Sequence, residues 1–343
     1  MTPAVSAPLV LTLGEPAGIG PEIVAAAWQR LRMSGPAFAV IGDIRCLADR
    51  GIPVRQVDGT EGVRAGFASA LPLIDRPLPA PVTPGHPDPR NAGVVADWIE
   101  EGVALCLSGS ASALVTAPIA KAPLYAGGFQ HPGHTEFIAE LTADTPWPDL
   151  RGPVMMLTAA NLRACLATIH VPLAGVPELI TAERVARTAQ VVDEALRRDF
   201  GLATPRLALA GLNPHAGESG AIGSEEVDIL VPVARTLREQ GIDLSDPRPA
   251  DTLFHDEARA TYDAVICLYH DQALIPVKTL DFWGGVNATL GLPIIRTSPD
   301  HGTGFDIAGQ GIARPDSLIA AIHLAAVMAS NRAVTRPGPD HDV

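Results

Sequence analysis

Three histidines, His170, His215 and His270, each follow a run of strand-like composition: Ala164–Ile169, Leu207–Asn213 and Ala264–Tyr269. Neutral imidazole is a ligand for borderline divalent ions, and three imidazoles with a fourth position left open make the donor set of a catalytic metal site. If the runs are neighbouring parallel strands, or meet across a dimer interface, the three rings can converge on one ion. Taken singly, each histidine reads more simply as structural. The repeated placement is what points to metal, with Asp271 beside His270 as a candidate to orient its ring.

The stretch from Tyr269 to Asp316 carries further chemistry. His270, Lys278, Asn287, Arg296 and His301 are spaced between apolar segments and a glycine-punctuated loop, the pattern of functional loops on a rigid frame. Upstream, Gly133-His134-Thr135-Glu136-Phe137 opens a helix after a Pro-Gly turn, with Thr135 at the predicted N-cap. A hydroxyl, an imidazole and a helix N-terminus together suit a phosphate; equally, Thr135 could only cap its own helix. Asp251, in Pro249–Phe254, is a ligand, a base or a turn former. Residues 14–22, GEPAGIGPE, run from a strand into a helix with Pro21 near its first turn. That arrangement offers backbone N–H groups to an anion or nucleotide, or is simply a tight turn. No Gly-x-Gly-x-x-Gly fingerprint occurs, so an ordinary dinucleotide site of that type is not indicated.

The elements that must position these residues follow from the chain's periodicity. Strand-like runs at 8–13, Ala37–Ile41 and Ser112–Ala117 alternate with helical segments such as Asp97–Leu107, which predicts a parallel α/β sheet. Ligands of such sheets gather at the carboxyl ends of the strands. Leu71–Gly93, with seven prolines from Pro72 to Pro89, reads as a surface crossing loop. The segment Pro177–Arg198 reads as one helix with a solvated charged face, and Ser224 as the cap of another, with Glu225 and Glu226 in its first turn and Gly241 ending it.

Composition narrows the function classes. A chain of 343 residues supports two lobes. Its net charge of −13 argues against nucleic-acid or anionic-membrane partners, so an anionic substrate would need a local positive pocket. Cys46, Cys106, Cys165 and Cys267 lie far apart in apolar runs, as reduced cysteines of a cytoplasmic protein do. No run of about 18 apolar residues occurs, and MTPAVSAPLV lacks a basic n-region, so neither a membrane span nor a signal peptide is expected.

Six motifs, in order, carry a resemblance: GEPAGIGPE at 14–22, GHTEF at 133–137, LNPHAGE at 212–218, PADTLF at 249–254, YHDQ at 269–272 and GVNATLGLP at 285–293. Over about residues 8–330 the chain resembles the 4-hydroxythreonine-4-phosphate dehydrogenase family of pyridoxal phosphate synthesis. The resemblance implies an isocitrate/isopropylmalate dehydrogenase-like α/β fold, two α/β/α lobes with a cleft between them. It implies a nucleotide-side lobe of 1–128 plus 288–343 and a metal, substrate and dimerisation lobe of 129–287. It further implies a homodimer whose active site is shared, with His170, His215 and His270 holding a divalent ion (zinc, magnesium or cobalt) and one histidine supplied by the second subunit. His134, Thr135, Lys278, Asn287 and Arg296 fall on the family's substrate positions. The loop Asp300–Ala313 resembles the nucleotide loop of those dehydrogenases, so His301, Gly302, Thr303 and Asp306 are the candidates for NAD or NADP. Two departures stand out: Trp283-Gly284, where many relatives carry a more polar pair, and Ala120 before Lys121.

The activity so implied is oxidation of 4-phosphooxy-L-threonine at C3 with loss of carbon dioxide, giving 3-amino-2-oxopropyl phosphate. Lys278 is the first candidate for proton transfer, because a partly buried lysine beside a cation can have a depressed pKa; Asp251 and Asp271 are weaker ones. Rival readings are a paralogous dehydrogenase of 4-phosphoerythronate, 4-phosphothreonate or a dihydrodiol carboxylate, a phosphate acyltransferase on a similar fold, and a non-catalytic metabolite binder.

Overall fold

The computed structural model describes residues 7–131 and 133–335. Strands are β1 (Leu9–Thr12), β2 (Phe38–Gly42), β3 (Val54–Gln56), β4 (Leu71–Asp75), β5 (Leu114–Thr116), β6 (Val154–Ala159), β7 (Leu162–Leu166), β8 (Arg206–Ala210), β9 (Asp243–Arg248), β10 (Ala264–Cys267), β11 (Val286–Leu290) and β12 (Arg296–Pro299). Helices are α1 (Gly20–Leu31), α2 (Val63–Gly66), α3 (Ala92–Leu107), α4 (Lys121–Ala126), α5 (His134–Leu141), α6 (Val176–Leu179), α7 (Ala182–Phe200), α8 (Val231–Glu239), α9 (Asp256–Arg259), α10 (His270–Leu280) and α11 (Asp316–Thr335). The alternation is that of an α/β protein. The chain divides into two compact units, Met1–Pro146 with Leu292–Ala333 and Trp147–Gly291 with Val334–Val343.

The first unit is a parallel sheet in the order β3-β4-β2-β1-β5-β12. Strands covered on both faces need apolar residues at successive positions, and LVLT of β1 and FAVIG of β2 are buried throughout. Helix α3 buries Val95, Trp98, Ile99, Gly102 and Val103, the spacing of one helical face. The loop expected over Leu71–Gly93 is corrected at its start: Leu71–Asp75 is a strand between β3 and β2. Pro72 is tolerated there because Leu71 donates its N–H towards β3, to Pro53, so position 72 faces β2, and pairing with β2 begins only at Leu73. Helix α11 is long and apolar enough to cross a membrane by length and composition, which the sequence reading did not anticipate. In this structure it buries Leu318, Ala321, Ile322, Ala325 and Met328, and the Thr297 hydroxyl donates to its Ala321 carbonyl.

The second unit has the order β11-β6-β7-β10-β8-β9, antiparallel through β11, β6 and β7 and parallel through β7, β10, β8 and β9. The helix predicted over Pro177–Arg198 is two, α6 and α7, broken at Ile180-Thr181, where the Thr181 hydroxyl accepts the Arg184 N–H. Its charges are also less solvated than expected. Asp193, Arg198 and Asp199 are buried, and Arg198 donates to both Asp199 and Asp149. The four cysteines are free thiols.

Candidate functional site

In the second unit, the three histidines follow three adjacent parallel strands. β10 lies between β7 and β8, and His170, His270 and His215 stand beyond the carboxyl ends of β7, β10 and β8 respectively. His270 is the first residue of α10, after the extended Tyr269. The rings of His170 and His270 are 5.8 Å apart, centroid to centroid. Two imidazoles that share an ion, each nitrogen about 2.1 Å from it, place their centroids roughly 5 to 6 Å apart, so this pair fits a common ion. Asp271 Oδ1 lies 2.7 Å from His270 Nδ1, which leaves Nε2 directed elsewhere.

His215 does not join this pair within one chain. Among the described residues, no three His, Cys, Asp or Glu side chains cluster as metal ligands do. His170, His270 and Asp271 line one hollow with Tyr269 and Leu173. His215 and Asp251 line an adjoining one with Asn213, Gln272, Tyr269 and Leu173. Gln272, buried, fixes the root of both: it accepts the Leu268 N–H at 2.6 Å and donates to the Gly211 carbonyl at 2.8 Å.

Lys278 sits two turns along α10 from His270, half-buried, with Nζ 5.5 Å from the Phe282 ring centroid. Asn287 is on β11 opposite Leu157, and its Oδ1 is sealed from solvent with no hydrogen-bond partner among the described residues. Asp281 caps the turn beyond α10, accepting from the N–H groups of Trp283 and Gly284; Trp283 is 51% exposed.

In the first unit, Arg296 is buried on β12 and donates to the Thr116 hydroxyl on β5 from Nη2, at 2.7 Å, and from Nε, at 3.2 Å. Burial pushes its guanidinium down to about 10, with the Glu136 carboxylate partly opposing. His134 Nε2 is sealed and has no hydrogen-bond partner among the described residues. Burial, with the Arg296 charge adding to it, holds this imidazole well below the ordinary histidine range, and therefore neutral. Gly133, not Thr135, stands at the N-cap of α5; Thr135 is buried within the first turn. A buried guanidinium, a neutral imidazole with a sealed nitrogen and a helix start are the parts of an anion subsite.

The nucleotide candidates of the same unit lie on one loop. Thr303 accepts the Ile19 N–H of the 14–22 loop at 2.9 Å, and His301 Nδ1 lies 3.0 Å from the Gly302 carbonyl while Nε2 is sealed and without a partner among the described residues. Gly302 and Asp306 are exposed. The loop is tied to α1 by Glu22, whose buried carboxylate accepts the N–H groups of Gly309 and Gly311. Sequence reasoning gave no functional role to Thr116, Glu22, Asn213 or Glu226: Glu22 and Asn213 stood only within the GEPAGIGPE and LNPHAGE motifs and Glu226 only as a first-turn acid, because partnered carboxylates, amides and hydroxyls have no local signature.

The chain matches the sequence profile of the family described as pyridoxal phosphate biosynthetic protein PdxA over residues 36–325. It is 60% identical over 331 residues, 96% of this chain and 99% of the other, to a protein of Caulobacter vibrioides named 4-hydroxythreonine-4-phosphate dehydrogenase. A crystal structure of 4-hydroxythreonine-4-phosphate dehydrogenase from Klebsiella pneumoniae is similar with a TM-score of 0.84 and 37% identity, covering 94% of this chain and 100% of that one. A terephthalate 1,2-cis-dihydrodiol dehydrogenase from Burkholderia xenovorans is similar with a TM-score of 0.63 and 30% identity, covering 94% and 98%.

Proposed function

The chain belongs to the pyridoxal phosphate biosynthetic protein PdxA family, and from that premise we propose that it is an NAD(P)-dependent dehydrogenase of 4-phosphooxy-L-threonine. The reaction oxidises C3 and releases carbon dioxide, giving 3-amino-2-oxopropyl phosphate for pyridoxal phosphate synthesis. The observation that carries the reading is the buried Arg296 beside the neutral His134, whose Nε2 is sealed and without a partner among the described residues. In a chain of net charge −13, a buried cation on a sheet is a site built for an anion such as the substrate phosphate.

Roles are assigned within each unit. Arg296, His134 and Thr135 bind the phosphate, and His301, Gly302, Thr303 and Asp306 hold the nicotinamide nucleotide beside the 14–22 loop. In the second unit His170 and His270 hold a divalent ion, zinc, magnesium or cobalt, with His215 contributed by a second copy of the chain in a homodimer. Such an ion supplies charge stabilisation for the C3 oxygen and for the electrons left by decarboxylation. Lys278 takes the C3 hydroxyl proton, with Asp251 and Asp271 as the other candidates, and Asn287, with its sealed Oδ1, orients the substrate. A cytoplasmic location fits the free thiols and phosphorylated substrate.

The similarity to a dihydrodiol dehydrogenase favours one other reading, a paralogous enzyme oxidising a dihydrodiol carboxylate, or 4-phosphoerythronate or 4-phosphothreonate, on the same ion-binding residues. Initial rates of nicotinamide reduction with each compound separate these readings. The proposal requires 4-phosphooxy-L-threonine to have the highest kcat/KM, and a higher value for any rival would replace it.

A further inference from the structure

The turn that carries His215 is held in a conformation its sequence does not favour. Residues 215–219 all have positive φ, 54, 51, 77, 45 and 57°, and four of them, His215, Ala216, Glu218 and Ser219, have side chains. Left-handed backbone crowds the Cβ of an L-residue against the next carbonyl, so single glycines adopt it routinely and successive residues with side chains do not. Strain of this kind persists only where surrounding contacts over-determine it, and it concentrates at functional sites.

Glu226 is that contact. Its side chain is buried, 2% exposed, at the start of a π-helical turn, Glu226–Leu230. Oε1 accepts the N–H of Leu212 at 2.7 Å and of Asn213 at 2.8 Å, and Oε2 accepts Asn213 Nδ2 at 2.9 Å. Asn213 Nδ2 also donates to Glu225 Oε2 at 2.7 Å, and the Asn213 carbonyl accepts the Ala216 N–H at 3.1 Å. A Cβ at Gly217 would lie 2.6 Å from Glu226 Oε2, and one at Gly223 would overlap the Asn213 amide, so the turn is packed onto this bracket at both ends. The His215 side chain is 73% exposed, and its Nδ1 lies 3.9 Å from Glu218 Oε2. Backbone geometry, rather than packing, therefore decides where the imidazole points.

We propose that Glu226, acting through Asn213, is a positioning residue that sets the left-handed turn and thereby presents His215 to a divalent ion. The inference rests on the reading of His215 as an ion ligand. Its test uses the full chain freed of metal and titrated with cobalt(II), whose visible absorption reports ligand number and geometry. Glu226→Gln puts an amide N–H against the donors it must accept from. The expected result is a roughly 10- to 100-fold loss of cobalt affinity with a changed spectrum, and no further loss when His215→Ala is already present. Wild-type affinity in Glu226→Gln while His215→Ala is weak overturns the inference. So does an equal loss from Glu226→Gln in both backgrounds, which a general structural defect would give. Wild-type affinity in His215→Ala instead removes the underlying reading of that ligand. Should Glu226→Gln not fold, Asn213→Ala removes only the side-chain bonds. It must then weaken cobalt several-fold with the same non-additivity, and unchanged affinity overturns the proposal.

Discussion

Arg296 and Thr116 face each other from adjacent strands, with the guanidinium donating twice to one hydroxyl in a buried setting. The hydroxyl fixes the orientation of the fork, and burial in the sheet makes the guanidinium a local positive group in an acidic chain. Arg296→Lys keeps a cation but loses the planar fork and its anchorage on Thr116. A charge-assisted hydrogen bond contributes about 1.5–3 kcal/mol, so KM for the phosphorylated substrate should rise roughly 10- to 100-fold. Steady-state kinetics check this, and an unchanged KM would remove Arg296 from the phosphate site.

His134 makes stability depend on pH in a stated direction. Its folded-state pKa lies well below the ordinary 6.5, so as pH falls below 6.5 the unfolded chain takes up a proton that the folded chain refuses. Stability from this group is present above 6.5 and lost as pH drops towards the folded value, by at most about 1.4 kcal/mol per pH unit. His134→Asn should flatten the fall of Tm between about pH 6.5 and 5. Equal slopes in variant and parent would show that other groups carry the acid sensitivity.

How far the chain could be read in advance depended on whether a residue's partner was local. The apolar runs of β1, β2, β5 and β10 are buried strands because a parallel strand's signal lies in consecutive residues. The placement of three histidines past apolar runs was legible for the same reason, since those runs form the neighbouring strands β7, β10 and β8. β4 escaped because Pro72 speaks against a strand unless its missing N–H is known to precede the pairing with β2. Glu226 looks like an ordinary first-turn acid of a surface helix. Only the fold reveals that its carboxylate turns back onto residues 212 and 213. Arg198 and Asp199 likewise lie in a charged stretch whose burial is decided by Asp149 and Trp147, some 50 residues away.

That last cluster gives a stability prediction. Arg198 is paired with Asp199 through two hydrogen bonds, 2.9 and 2.7 Å, and with Asp149 at 2.6 Å, and it stacks 4.8 Å from the Trp147 ring. Removing one partner of a buried pair costs about 3–5 kcal/mol, and the surviving Asp149 contact places Asp199→Ala at the low end. At roughly 2–4 °C per kcal/mol, the thermal midpoint should fall by roughly 6–12 °C. A shift under about 2 °C, less than 1 kcal/mol on that scale, would mean that Asp149 alone satisfies the guanidinium.

Asp271 offers the most direct check on the ion. With its Oδ1 2.7 Å from His270 Nδ1, the carboxylate favours the tautomer whose Nε2 bears a free lone pair and fixes the orientation of the ring. Asp271→Asn keeps a hydrogen-bonding group of similar size and removes the charge. Ion affinity should then weaken roughly 10- to 100-fold, whereas His170→Ala should abolish stoichiometric binding because only one imidazole of the 5.8 Å pair remains. Elemental analysis after dialysis measures both. A chelator should silence the parent enzyme, and added ion should restore it at a lower concentration than Asp271→Asn needs. If the parent carries no ion and a chelator leaves its turnover intact, the paired imidazoles serve another purpose, and Lys278 would have to move the C3 proton without that assistance.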